Sequence, residues 1–242
     1  MLGNDQGVSA LNYSAWNMWH LGQADAARMR AREAVALARR LNDPFSLAFA
    51  LLYETVVHAL RRDVTAQLER AAETIALSEA QGFPFWLGLG RAFHAGARVA
   101  AGHPDAFPEM LEGLALVAET GNQLHAPEIF LYLAEAQQAS GHVAEAQGTV
   151  ATALAVAAQM GQSFFDADLY RLDGDLLRAL GGPADEAAAR YHRALAIARK
   201  QGARSLELRA PVARSGQARR SARPTCARVR LVHRRLRDAR PR

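Results

Sequence analysis

Eight histidines stand at positions 20, 58, 94, 103, 125, 142, 192 and 233, and histidine is the side chain best suited to metal binding and proton transfer near neutral pH. No two of them share the i, i+4 spacing that would stack ligands on one helix face, and no His-Glu-x-x-His occurs. Cys226 is the single cysteine, which excludes an intrachain disulfide and any multi-cysteine zinc site. Asp166, Asp168, Asp173 and Asp175 form an acidic cluster. A calcium loop would need an oxygen ligand at its fifth position, where Tyr170 stands. Asp166 and Asp168 instead suit the first turn of a helix, whose dipole favours negative charge, and Asp173 is in reach of Arg171 or Arg178. There is no Gly-x-x-x-x-Gly-Lys-Ser/Thr phosphate loop, no Gly-x-Gly-x-x-Gly after a strand pattern, and no pair of strand-borne aspartates to hold metal ions. The expectation is a chain with no catalytic residues, no cofactor and no metal.

Recognition chemistry has more to work with. Trp16, Trp19, Tyr53, Phe85, Trp86, His94, Tyr132 and Tyr170, interspersed with Arg91, Glu135 and Gln138, could grip a peptide or protein, because Tyr and Trp bury large areas at small rotamer cost. The same rings are also ordinary packing material between helices.

These residues must be held by a repeating framework. Ala/Leu-rich segments alternate with short breaks in two series. Breaks within a unit fall at Leu21-Gly22, Arg61-Arg62, Ala101-Gly102, Ser140-Gly141 and Leu180-Gly181, and breaks between units at Asn42, Gly82, Gly121, Gly161 and Gly202. Each series steps by about 40 residues, a period that belongs to helical repeat arrays. The spacing predicts helix pairs over 9–20 and 24–40, 45–60 and 64–81, 85–100 and 106–119, 127–139 and 143–160, and 167–180 and 184–201. No convincing strand pattern exists.

Within the second helices, residues recur at a fixed offset from the break: Ala27, Ala31 and Ala34; Phe107, Leu111 and Leu114; Ala146, Val150 and Ala153; Ala187, Tyr191 and Ala194. The i, i+4, i+7 spacing puts each trio on one face, where mostly small side chains let paired helices approach closely. The second unit, with Gln67, Ala71 and Thr74, departs from the pattern and is expected to be the least regular.

This pattern resembles the tetratricopeptide repeat, although the period is near 40 where the standard repeat has 34. The resemblance implies an all-α fold, a right-handed superhelix of antiparallel helix pairs, over residues 1–210. First helices would line the concave surface, so Trp16, Tyr53, Trp86, Arg91, Tyr132, Glu135 and Tyr170 are the expected partner contacts. The segments 16–38, 44–51, 81–86, 170–177 and especially 191–210, reading Tyr-His-Arg-Ala-Leu-Ala-Ile-Ala-Arg-Lys-Gln-Gly-Ala-Arg-Ser-Leu-Glu-Leu-Arg-Ala, resemble the C-terminal region of large bacterial signalling proteins. In these a class III adenylate/guanylate cyclase domain or another output domain precedes a nucleotide-binding ATPase module and long repeats. That resemblance implies a regulatory, protein-interacting fragment whose partners are a peptide, a protein or the absent cyclase and ATPase domains. A freestanding adaptor using the same concave face is the alternative.

Composition changes after Ala210. Residues 211–242 contain eleven arginines and one aspartate, a net charge of +10, which leaves 1–210 at −5 given the whole-chain +5. Such a tail would attract any polyphosphate, but it has no aromatic stacking residue and specifies no nucleic acid. Residues 229–237 can be encoded by GTA CGG CTG GTT CAC CGA AGG CTT CG. One base later this reads Tyr-Gly-Trp-Phe-Thr-Glu-Gly-Phe, a segment that follows the repeats in the family resembled. The tail is therefore read as disordered and frame-shifted, and the fifth pair as lacking a covering neighbour. No export signal or membrane-spanning run is apparent, and a cytoplasmic location is expected.

Overall fold

The helix stops are built into the backbone. Among the described residues, φ is positive only at Gly22, Asn42, Arg62, Gly82, Gly102, Gly121, Gly141, Gly161, Gly181 and Gly202, one residue for each break read from the sequence. The left-handed conformation turns the chain out of a helix, and glycine adopts it without a Cβ clash. Arg62, at φ 58°, holds it without that freedom.

Residues 3–123 and 125–210 are described by a computed structural model; the arginine-rich 211–242, with the disorder and frame shift expected of it, lies outside the described residues. The first four helices are α1 (Gln6–His20), α2 (Ala24–Leu41), α3 (Pro44–Arg61) and α4 (Val64–Gln81). Next come α5 (Pro84–Ala100), a 3₁₀ turn (Pro104–Ala106), α6 (Phe107–Glu119), α7 (Ala126–Ala139) and α8 (Val143–Gln159). The chain continues with α9 (Asp166–Ala179), α10 (Ala184–Gln201) and a short α11 (Arg204–Arg209). No strand occurs among the described residues. The fold is an all-α solenoid of antiparallel helix pairs, α1/α2 through α9/α10.

Helix starts follow from local chemistry. Asp43 caps α3 by accepting from the Phe45 amide at 3.1 Å, with Pro44 at the first helical position, where its missing N–H is no loss. Asp5 caps α1 by accepting from the Val8 amide at 2.9 Å, and Asp5 itself donates its amide to Ser46 Oγ at 2.8 Å, tying α1 to α3.

The second helices bury one face against their partners. Ala27, Ala31, Ala34 and Ala38 are buried in α2, Ala146, Val150, Ala153 and Ala157 in α8, and Ala187, Tyr191, Ala194 and Ala198 in α10. The second unit, expected to be irregular, keeps the same register with Gln67, Ala71, Thr74 and Ser78. Its polar side chains are accommodated because Gln67 Nε2 donates to the Phe93 carbonyl at 2.9 Å and Thr74 Oγ1 to the Arg70 carbonyl at 2.9 Å. The unit that departs is the third. In α6 the buried face is Phe107, Met110, Gly113 and Val117, while Leu111 is 44% exposed. The cause is a glycine-to-glycine crossing of α5 and α6: a Cβ at Gly88 would lie 2.6 Å from the Gly113 carbonyl oxygen, and one at Gly113 would lie 2.7 Å from that of Gly88. Backbone contact at this point fixes the rotation of α6.

The sequence leads to the expectation of a fifth pair without a covering neighbour. The structure instead brings the end of the repeat domain back onto its beginning. Ala203 and Leu206 of the α11 segment are buried in one cluster with Ala15, Trp19, Ala27 and Val57. Trp16 packs against Phe164 and Phe165, with ring centroids 4.8 and 5.6 Å away. Burying Trp19 and Leu206 at this seam contributes roughly 1.5–3 kcal/mol each. His20 also lies in the seam, its Nδ1–H donating to the Trp16 carbonyl at 2.9 Å and its ring 4.6 Å from that of Phe164.

Two outcomes are expected. Replacing Gly113 by Ala should destabilise the domain by about 1–3 kcal/mol in denaturant melts, because the new methyl meets backbone on the facing helix. Burial lowers the pKa of His20 below the ordinary 6.5, against the smaller opposite pulls of the Trp16 carbonyl and Asp168. The neutral imidazole thus favours the fold, a stabilisation present in full above 6.5 and lost as pH falls through the lower folded value. Thermal melts at pH 7 and pH 5 should show this loss in the native chain, and His20→Gln should reduce the pH difference.

Candidate functional site

The first helices enclose a recess of about 550 Å³, within the usual range for small-ligand and peptide-anchor pockets. Leu89, Phe93 and Val99 of α5, Met110 of α6 and Ile129 of α7 make its apolar wall. One end is charged, with Glu135 of α7, Arg171 and Asp175 of α9 and Arg209 of α11.

Arg171 organises that end. Its Nε donates to Asp168 at 3.0 Å, Nη1 to Asp175 at 2.9 Å and Nη2 to Glu135 at 3.0 Å. One planar guanidinium thus holds three carboxylates, two on its own helix and Glu135 on α7, which ties α9 to α7, the geometry in which arginine differs from lysine. Tyr191 of α10 donates its hydroxyl to the other oxygen of Asp175 at 2.7 Å, which holds that carboxylate from behind. Burial alone would favour the neutral guanidine, but Asp168, then Glu135 and Asp175, outweigh it and raise Arg171 above its ordinary value. Glu135 opens onto the recess, its side chain 37% exposed, yet protein surrounds it on the other sides. That loss of bulk water raises its carboxyl above the ordinary carboxylate range against the pull of Arg171. Tyr132, one turn earlier, is raised well above the ordinary phenol value, by burial first and then by Glu128 and Glu135. Arg209 is shifted down by burial, which Asp168 and Glu135 only partly offset.

The seven expected contact residues separate into three groups. Tyr132 and Glu135 line the recess. Trp16, Tyr53 and Trp86 pack into the aromatic core, where Tyr53 is 5% and Trp86 6% exposed. Tyr53 meets Tyr13, Trp16 and Phe49 edge-on, and Trp86 meets Phe45, Phe49 and Phe85. Arg91 is exposed and ion-paired to Glu79 of α4 at 2.8 Å, and Tyr170 lies beneath the Arg193 guanidinium of α10 at 4.2 Å. In the acidic cluster Asp166 and Asp168 fall in the first turn of α9, as the sequence suggests; Asp173 pairs with Arg190 at 2.7 Å in place of Arg171 or Arg178, and Arg171 takes Asp168 and Asp175. The Asp168, Arg171, Asp175 spacing of three and four was a legible signal for this network. Arg209 carried no such signal, since its partners lie on α1, α3 and α9. Among the described residues no group of three or more His, Cys, Asp or Glu side chains could hold a metal ion, and no helix is long and apolar enough to cross a membrane.

No family model matches the chain, and no curated protein matches it in sequence. Similarity lies with solved structures. The Bacillus thuringiensis PlcR structure in complex with the peptide PapR7 and DNA aligns with a TM-score of 0.67 at 12% identity, covering 87% of this chain and 76% of that one. A Rap protein complexed with competence and sporulation factor aligns at 0.65 and 13% identity, covering 85% of this chain and 56% of that one. A thermophilic TPR protein of Thermus thermophilus aligns at 0.56 and 19% identity over 82% and 98% of the two chains. The shared property is the fold. This chain has the tetratricopeptide-like repeat architecture.

Arg171→Met should destabilise the domain by about 3–5 kcal/mol in chemical denaturation, because three carboxylates would lose their common cation. Glu135→Gln, which leaves Asp168 and Asp175 on Arg171, should change stability far less.

Proposed function

We propose that residues 1–210 are a non-catalytic peptide- or protein-binding module that takes a partner segment into the recess between α3, α5, α7 and α9. The observation that carries the reading is the recess itself, which joins an apolar wall to a charged end. Apolar side chains of a partner would find Leu89, Phe93 and Ile129, and polar or charged groups would find Tyr132, Glu135 and Arg209. The peptide PapR7 bound in the PlcR structure, together with the competence and sporulation factor complexed with the Rap protein of the same architecture, supports a peptide or protein as the ligand class. The resemblance of 191–210 to bacterial cyclase and ATPase signalling proteins supports a regulatory setting in a larger assembly, with the catalytic modules as further partners. The arginine-rich tail is no part of this reading, and specific nucleic-acid binding is not proposed.

Panning a random peptide library against the purified chain tests the binding site. Selected peptides should bind the native protein and lose at least about tenfold in affinity on Tyr132→Ala or Phe93→Asp, a penalty of about 1.4 kcal/mol or more. Affinity unchanged in both variants, with folding intact by circular dichroism, would place binding elsewhere and defeat the proposal.

A further inference from the structure

α11 contributes one side chain to the wall of the recess and joins the two ends of the repeat domain beside it. Arg209 of this short helix lines the recess, lies 4.5 Å over the ring of Trp19 and donates to the carbonyl of Leu60. Ser205 Oγ donates to the carbonyl of Trp19 at 2.6 Å. Both acceptors belong to the last turns of helices, α1 and α3; the Trp19 carbonyl also accepts the Gly22 amide at 2.9 Å, while Leu60 lies where carbonyls run out of intrahelical partners. α11 therefore bonds to the ends of two first helices while it covers Trp19.

The attachment is narrow. Of the two leucines of α11, Leu206 is 4% exposed and Leu208 is 87% exposed, so one leucine, flanked by Ala203 and Ala210, supplies the large apolar anchor. Every other α-helix among the described residues has 13 residues or more to pack along its neighbours. Elements with few buried apolar contacts and polar attachments at their ends open at lower free energy than the body of a fold.

We infer that α11 is a reversible strap in cis, whose release loosens the seam between the last helix pair and the first, which the Trp16–Phe164 and Trp16–Phe165 contacts also hold, and widens the recess into a more open groove. This rests on the recess being the binding site, and it assigns the regulation of that site. Arg209 couples the two states, because the same guanidinium holds α1 and α3 and forms the wall that a bound segment would touch. A ligand that displaced Arg209 would weaken the seam, and a segment too bulky for the recess beside Arg209 would require the strap to leave.

The test needs no ligand, so its failure would leave the peptide reading standing and is distinguishable from failure of the panning experiment. In the full chain carrying Trp86→Phe, the remaining emitters are Trp16 and Trp19, both at the seam. Adding Leu206→Asp should raise the acrylamide quenching constant at least about twofold and increase the radius of gyration in small-angle scattering, while far-ultraviolet circular dichroism retains the helical signal of α1–α10. Arg209→Ala, which removes no buried leucine, should move both readouts in the same direction by a smaller amount. Quenching and radius of gyration unchanged in both variants would overturn the strap, because the ends would then hold together without α11. Collapse of the helical signal in Arg209→Ala would overturn it equally, because α11 would be inseparable from the fold.

Discussion

A helix pair in this chain carries apolar surface on both sides and can bury it only against another pair. Interior pairs meet the requirement with two neighbours, but the first and last have one each. In long arrays polar capping helices relieve the ends. Here the ends relieve each other: α11 and the Phe164-Phe165 turn fall onto α1, and Trp16, Trp19 and Leu206 leave water together. Small residues at the pair interfaces, and the crossing of α5 and α6 at Gly88 and Gly113, bring helix axes closer than leucine-lined faces would allow.

Closure has an electrostatic consequence. It brings Arg209 from the end of the domain to within 4.0 Å of Asp168, the carboxylate already held by Arg171. The charged end of the recess is thus assembled from α7, α9 and α11, none of which could build it alone. Ion pairs in such partly dry surroundings add little net stability but penalise the loss of any single member. They define the relative placement of the last helices, and the recess takes its shape from that placement.

The aromatic residues show how one composition serves two ends. A ring on a concave helix can contact a partner or fill the space between helices, and the choice depends on how tightly the helices curve. In a closed domain the interior is narrow, so Trp16, Tyr53 and Trp86 meet rings from neighbouring helices and turns. Tyr132 lies one layer away, in ring contact with Phe93, and keeps a face on the recess.

The amino-acid sequence by itself determined the periodic part of this protein. Glycine, asparagine and arginine at fixed intervals dictated where each helix ends, and the Ala27, Ala146 and Ala187 faces were legible because helix pitch projects sequence spacing directly onto one side of a helix. Tertiary structure decided what depends on rotation and on distant contacts. Gly113 turned α6 away from the register that Leu111 had suggested, since a backbone crossing leaves no trace in hydrophobic periodicity. Gln67 and Ser78 were buried where their types argued exposure, Gln67 by a hydrogen bond to the facing helix. The recess and the place of Arg209 in it lay beyond sequence reasoning for the same reason: Trp19 and Arg209 are 190 positions apart, and only the packing of the helix pairs brings a guanidinium over an indole.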